Sequence, residues 1–287
     1  MKRILLIILF ATFGCSKNFQ TIMAETSKIG HQKGLEPIIY QTKNFKIFTL
    51  QKITDPLKPL KIYFEGDGRA FINRHTASAN PTPTSFFLIN LIKEDDSANI
   101  LYVARPCQYV SSENCQPKYW TNARFSKEII DAVDEVVKAF PKFELELVGY
   151  SGGGEVAKQI AVRNKNVVNL RTIAGNIYHA KFTEIHHVLP LDESLPEQNL
   201  LKLANIPQIH FVGSKDKVVP KIIAETYRDK LLKKSCARII LVENATHSKG
   251  WNEEWKKLSK IQPFCTSDEI KKPLAKIMPR PKRSEKI

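Results

Sequence analysis

The sequence predicts an α/β fold with a mostly parallel central sheet, and three observations predict it. Short apolar runs of strand length alternate with amphipathic stretches of helical period, and that alternation places helices on both faces of a parallel sheet. The 287 residues are 43% hydrophobic, enough to bury the core of one large domain. Ser151, Asp216 and His247 each follow a strand-like run, where ligands gather in such sheets.

The elements follow in chain order. Phe45 to Ile53 alternates like a half-buried strand, and Lys61 to Phe64 reads as a strand running into the glycine turn of "FEGDG". Ile100 to Ala104 is a short buried strand. In "FSKEIIDAVDEVVKAF" the apolar residues Ile129, Val133, Val136 and Val137 share one helical face, and Pro141 stops the helix. Then come a strand over 144–150, a helix over 153–163, strands over 170–174 and 209–213, a helix over 221–232 and a strand over 238–243. Trp251 and Trp255, spaced i and i+4 on a final helix, dock that helix onto the sheet. Residues 176–205 exceed a simple connection and read as a small cap over the carboxyl edge. No internal repeat is visible.

The termini carry a different signal. Lys2 and Arg3 precede the apolar run Ile4 to Phe13, too short to span a bilayer as a mature helix but suited to a secretory signal, so residues 1–14 read as a signal peptide. The run ends in "ATFGCSK", similar to a bacterial lipobox. Cys15 would then be the lipidated first residue of the mature chain, anchoring it in the bacterial cell envelope and facing the periplasm or exterior; plain secretion is the alternative. Residues 15–40 show no sustained periodicity and read as a tether, leaving 41–266 as the folded domain and 267–287 as a disordered basic tail.

Lys and Arg number 44 against 29 Asp and Glu, a formal net charge of +15. That excess suits an anionic partner. Yet much of it lies in Lys2, Arg3 and the tail from Ile270, which has seven basic residues and one acid. A solvated basic tail on a monomeric body is the plainer reading, and no nucleic acid partner is expected.

With Cys15 lipidated, Cys107, Cys115, Cys236 and Cys265 remain, an even set that fits two disulfides in an exported chain with three possible connectivities. Sequence proximity favours Cys107 with Cys115 and Cys236 with Cys265. No CxxC pair or suitably spaced His supports a metal site.

Two readings compete for "GYSGGGEVA". Gly152, Gly154 and Ala157 fit the dinucleotide spacing G-x-G-x-x-A between a strand and a helix. That fingerprint also wants an acid about 20 residues on, to hold the ribose. No Asp or Glu stands between Glu155 and Glu184, and several elements precede the motif. The second reading is G-x-S-x-G over Gly149 to Gly153. There the nucleophile sits on a strained strand-to-helix turn, and small neighbours two residues away avoid clashes. A serine needs a base, and the base an orienting acid. Downstream of Ser151, Asp216 and then His247 each follow a strand, so all three would reach one edge of the sheet.

"YFEGDG", "GYSGGG", "GSKDKVVP" and "ATHSKGW" resemble the α/β-hydrolase superfamily over roughly residues 45 to 265, and with "ARPCQYV" and "YWTNARFS" they resemble a group of bacterial α/β-hydrolase lipoproteins. The resemblance implies the α/β-hydrolase fold, a mostly parallel sheet flanked by helices with a small cap between the sixth and seventh strands. It implies a serine hydrolase that cleaves an ester or related acyl bond of a small or lipid-like substrate, without cofactor or metal. Ser151 would be the nucleophile, His247 the base and then acid, and Asp216 the group that fixes the imidazole. Asp192 and Glu243 are weaker candidates for the acid, the first lying in the cap and the second inside the last strand. The alternative is a non-catalytic envelope lipoprotein that binds an anionic polymer on the same scaffold.

An oxyanion needs two donors. By the resemblance these are the N–H of Gly152 and of Asp67, with Gly68 as the alternative. The chain departs from the common His-Gly of this turn with Glu65-Gly66. Carboxylates at 65 and 67 are tolerable there only if they point away or pair with cations, and Arg69 and Arg105 are the candidates for that pairing. His179, His186 and His187 are expected at the surface of the cap, and Trp120 and Arg124 as packing beside the cleft.

Overall fold

Strands buried on both faces need apolar residues at successive positions, and the middle of this sequence supplies them. The computed structural model describes residues 19–196 and 200–266. Its eight strands are β1 (Glu36–Gln41), β2 (Lys46–Ile53), β3 (Leu60–Phe64), β4 (Asn99–Val103), β5 (Leu145–Tyr150), β6 (Val167–Ile173), β7 (Gln208–Gly213) and β8 (Ala237–Val242). They form one sheet in the order β1-β2-β4-β3-β5-β6-β7-β8. β1 and β2 pair antiparallel, as do β2 and β4; every other pair is parallel.

The helices are α1 (Phe19–His31), α2 (Phe87–Lys93), α3 (Lys127–Lys138), α4 (Gly153–Ala161), α5 (His179–His186), α6 (Leu200–Leu203), α7 (Lys221–Lys230) and α8 (Asn252–Leu258). The twofold period of the strands divides the core between two faces. Ile62, Phe64, Leu101 and Leu147 point to the side covered by α3, α4 and α7. Tyr63, Tyr102, Val148 and Phe211 point to the side covered by α1, α2 and α8, where Trp251 and Trp255 are fully buried. Ser126 caps α3 by accepting a hydrogen bond from Ile129 N–H, and Ile129, Val133, Val136 and Val137 are all buried beneath it.

One expectation is overturned. The segment read as a tether folds: Phe19–His31 is helical, and Glu36–Gln41 adds an edge strand to β2. Ile22, Thr26 and Gly30 are the buried positions of α1, one per turn. Thr26 satisfies its hydroxyl on Ile22 O at 2.8 Å, and Gly30 lets the helix approach until a Cβ there would stand 3.0 Å from Leu50 Cδ1. Two of the three facing residues are not apolar, which hides the period from a hydropathy reading. The domain therefore includes Phe19 onward.

The insert between β6 and β7 carries α5 and α6, where the cap was expected. Cys107 is bonded to Cys115 and Cys236 to Cys265. Cys15, the signal run and the basic tail lie outside the described residues. Among the described residues, no helix is long and apolar enough to cross a membrane.

Candidate active site

The turn from β5 into α4 is compressed in the way its glycines anticipate. Ser151 has φ +49°, a left-handed conformation that a non-glycine residue adopts only when its surroundings impose it. A Cβ on Gly149 would fall 2.2 Å from Gly153 O, and one on Gly153 would fall 2.2 Å from Phe64 O. A larger residue at 149 would push the start of α4 off β5, and one at 153 would push it off β3. Ser151 is fastened by its own N–H on Ile173 O, and its carbonyl accepts from Gly154 N–H and Asn176 N–H.

The loops after β7 and β8 interlock beside this turn. Lys215 N–H donates to Ala245 O and Ser214 N–H to Val242 O, so the two loops hold one another in register. Asp216 and His247 are thereby brought to Ser151. His247 Nε2 lies 3.0 Å from Ser151 Oγ, and His247 Nδ1 lies 2.9 Å from Asp216 Oδ2. Asp216 Oδ1 accepts from the N–H groups of Val218 and Val219 at 2.8 and 2.9 Å. Tyr150, the variable residue of the G-x-S-x-G run, lays its ring 5.4 Å from that of His247. Asp192 and Glu243, the weaker acid candidates, make no bond to His247.

The turn after β3 runs alongside, with Gly66 so close that a Cβ there would meet Ser151 Cβ at 3.2 Å. Its two carboxylates are handled differently. Asp67 is held by Arg105 Nη1 at 2.9 Å and by Arg124 Nη1 at 2.8 Å. Burial works to raise its pKa, and the two guanidinia more than offset this, holding it below the usual carboxylate value. The second cation is thus Arg124, not Arg69 as expected. Glu65 has no direct cation partner among the described residues; its Oε1 accepts from Gly66 N–H and its Oε2 accepts from the Tyr102 hydroxyl at 2.9 Å. Burial pushes its pKa up to about 7, and the Gly66 N–H and Tyr102 hydroxyl bonds restrain the rise.

Of the proposed donors, neither Gly152 N–H nor Asp67 N–H has an acceptor among the described residues, whereas Gly66 N–H is taken by Glu65. Asp67 also argues against the phosphate cradle. Its Oδ1 lies 2.0 Å from where a Cβ on Gly152 would be, so a carboxylate fills the space a pyrophosphate would need. Gly66, Asp67, Arg69, Phe71, Pro83, Tyr150, Ser151, Asn176, Phe182, Val218 and His247 are among the residues lining a cleft of about 410 Å³.

The other candidates fall outside this cleft. His179 is buried against Phe125, with Nε2 3.1 Å from Leu195 O, rather than at the surface as expected: its place at the start of α5 turns it inward. His186 is bonded to Val218 O, and Trp120 donates to Ser78 O as a packed residue. No group of three or more His, Cys, Asp or Glu among the described residues could hold a metal ion. Sequence reasoning missed Arg124 as a partner of Asp67, because 57 residues separate them and nothing local marks the pair.

No family model and no curated protein matches the chain. Solved structures do. A serine hydrolase homologue from Coxiella burnetii aligns with a TM-score of 0.53 at 14% identity, covering 78% of this chain and 94% of its own. An esterase of Pyrococcus furiosus gives 0.54 at 16% identity, covering 78% and 88%. A membrane phospholipase A described as a bacterial virulence factor gives 0.55 at 15% identity, covering 84% and 89%. The chain has the α/β-hydrolase fold.

Proposed function

We propose that this protein is a serine hydrolase that cleaves an ester or related acyl bond through an acyl-enzyme. The observation that carries the reading is the unbroken hydrogen-bonded path from Asp216 through His247 to Ser151, at 2.9 and 3.0 Å. In the proposed reaction His247 takes the hydroxyl proton as Ser151 Oγ bonds to the substrate carbonyl carbon. It then returns that proton to the leaving group as the scissile bond breaks. Water, deprotonated by the same imidazole, releases the acid. Imidazole suits both tasks because its unperturbed pKa, about 6.5, lies near neutral pH.

Asp216, buried and already accepting from two backbone N–H groups, would hold the tautomer that leaves Nε2 free to accept. The N–H groups of Gly152 and Asp67 would receive the oxyanion, each such donor worth about 3–4 kcal/mol in the transition state. The short apolar run after Lys2 and Arg3, the lipobox-like Cys15 and the two disulfides support export with a lipid anchor in a bacterial envelope.

A fluorophosphonate probe tests the chemistry. The native protein should form an adduct and Ser151→Ala none, with turnover of a chromogenic ester falling by about a million-fold in that variant. A native protein that stays unlabelled, or a loss of only a few-fold in Ser151→Ala, would overturn the reading in favour of a non-catalytic scaffold.

A further inference from the structure

The carboxylates around the cleft all have internal partners. Asp67 is held by Arg105 and Arg124, Glu65 by Gly66 N–H and the Tyr102 hydroxyl, and Asp216 by His247 and two backbone N–H groups. Arg69 is different. It lines the same cleft as Ser151 and is exposed, yet among the described residues its side chain makes no hydrogen bond or ion pair.

Its mount is fixed even so. Arg69 N–H donates to Pro81 O at 3.0 Å, and the neighbouring Ala70 carbonyl accepts from Ser78 N–H at 2.9 Å. Gly68, just before it, takes φ +62° where a Cβ would meet Pro81 O at 2.0 Å. Arg69 is thus carried on a braced turn at the wall of a cleft whose other walls include Phe71, Pro83, Phe182 and Val218. A planar fork of donors matches a carboxylate or phosphate, and apolar walls match an acyl chain.

We propose, resting on the serine-hydrolase reading, that Arg69 selects acyl esters carrying a carboxylate or phosphate group close to the scissile bond. The proton that Glu65 retains up to about pH 7 favours such a substrate, because it lessens the repulsion an anion would meet in the same cleft.

Two matched pairs of esters test this. The acyl-side pair is mono-para-nitrophenyl adipate and its methyl ester, differing by one carboxylate. The alcohol-side pair is a monooctanoyl ester of glycerol phosphate and the corresponding octanoylglycerol, differing by one phosphate. In at least one pair the anionic member should have a kcat/KM about tenfold higher, equivalent to about 1.4 kcal/mol. The pair that shows it identifies where the charge sits. Arg69→Gln should abolish that preference, chiefly through KM, and Arg69→Lys should keep part of it. Arg74→Gln, an exposed neighbour outside the cleft lining, should leave the preference intact. Turnover with no anionic preference, a preference that survives Arg69→Gln, or an equal loss in Arg74→Gln would overturn the proposal while leaving the hydrolase reading standing. If no ester is turned over and no fluorophosphonate adduct forms, the hydrolase reading falls and this proposal with it.

Discussion

Asp67 Oδ1 lies 2.0 Å from the point where a side chain on Gly152 would begin. The residue after the proposed nucleophile therefore cannot carry even a methyl group unless Asp67 withdraws, and two guanidinia hold Asp67 in place. Gly152→Ala should break that clamp, lowering stability by about 1–3 kcal/mol and ester turnover by at least about a hundredfold. Asp67→Ala should itself destabilise, because it strips Arg105 and Arg124 of their shared carboxylate, and the double variant should lose less stability than the sum of the two single losses while recovering little of the turnover. Additive losses in stability would show that the two residues do not meet.

The three atoms bonded to the Asp216 carboxylate predict the outcome of an isosteric change. Oδ1 accepts from Val218 and Val219 N–H, so in Asp216→Asn the amide oxygen must stay on that side and the amide nitrogen must face His247. Nδ1 would then accept, and Nε2 would carry the proton toward Ser151, where it cannot take another. Turnover should fall by about ten-thousandfold, while the thermal midpoint moves by no more than about 5 °C. A loss below about tenfold in a steady-state assay would mean that His247 is not oriented by this carboxylate.

Both of those sites were visible in the sequence because their positions are local. The glycines at 149 and 153 state the compression of the turn, and Asp216 and His247 sit just past the apolar runs of β7 and of the edge strand β8. Strands β3, β4, β5 and β7 are likewise apolar enough to be read directly. What escaped was non-local or unpatterned. Arg124 reaches Asp67 only after α3 and its preceding turn fold back over β3. Helix α2 is buried at Phe87, Leu88, Ile89, Leu91 and Ile92, so it lacks the polar face that gives a helical period. β1 has Pro37 and exposed residues at Glu36, Ile39 and Gln41, the mark of an edge strand and a weak one to detect.

The stability of the protein should carry the signature of Glu65. Its pKa stands at about 7 in the folded chain against an ordinary 4.5, because burial disfavours the carboxylate. Between those values the native state holds a proton that the unfolded chain has lost, so the contribution is full below about pH 4.5 and is lost as pH rises through 7. The amount at stake is up to about 3 kcal/mol. Glu65→Gln keeps the size of the side chain and removes the titration. Its thermal midpoint relative to the native protein should rise from pH 5 to about pH 7 and level off above that. A difference that does not change with pH would show that Glu65 titrates as an exposed carboxyl.

Helix α1 offers the test of where the folded domain begins. Ile22 is 3% exposed and packs into the core beneath α2, in the cluster that holds Phe48, Tyr102 and Trp255. Removing its branched chain leaves a hole that Thr26, bonded to the Ile22 carbonyl, cannot move to fill. Ile22→Ala should therefore cost about 2–4 kcal/mol in urea unfolding. Lys28→Ala, on the exposed side of the same helix, should cost less than about 0.5 kcal/mol. Equal and small effects would return these residues to the role of a tether, since a segment outside the core has no packing to lose.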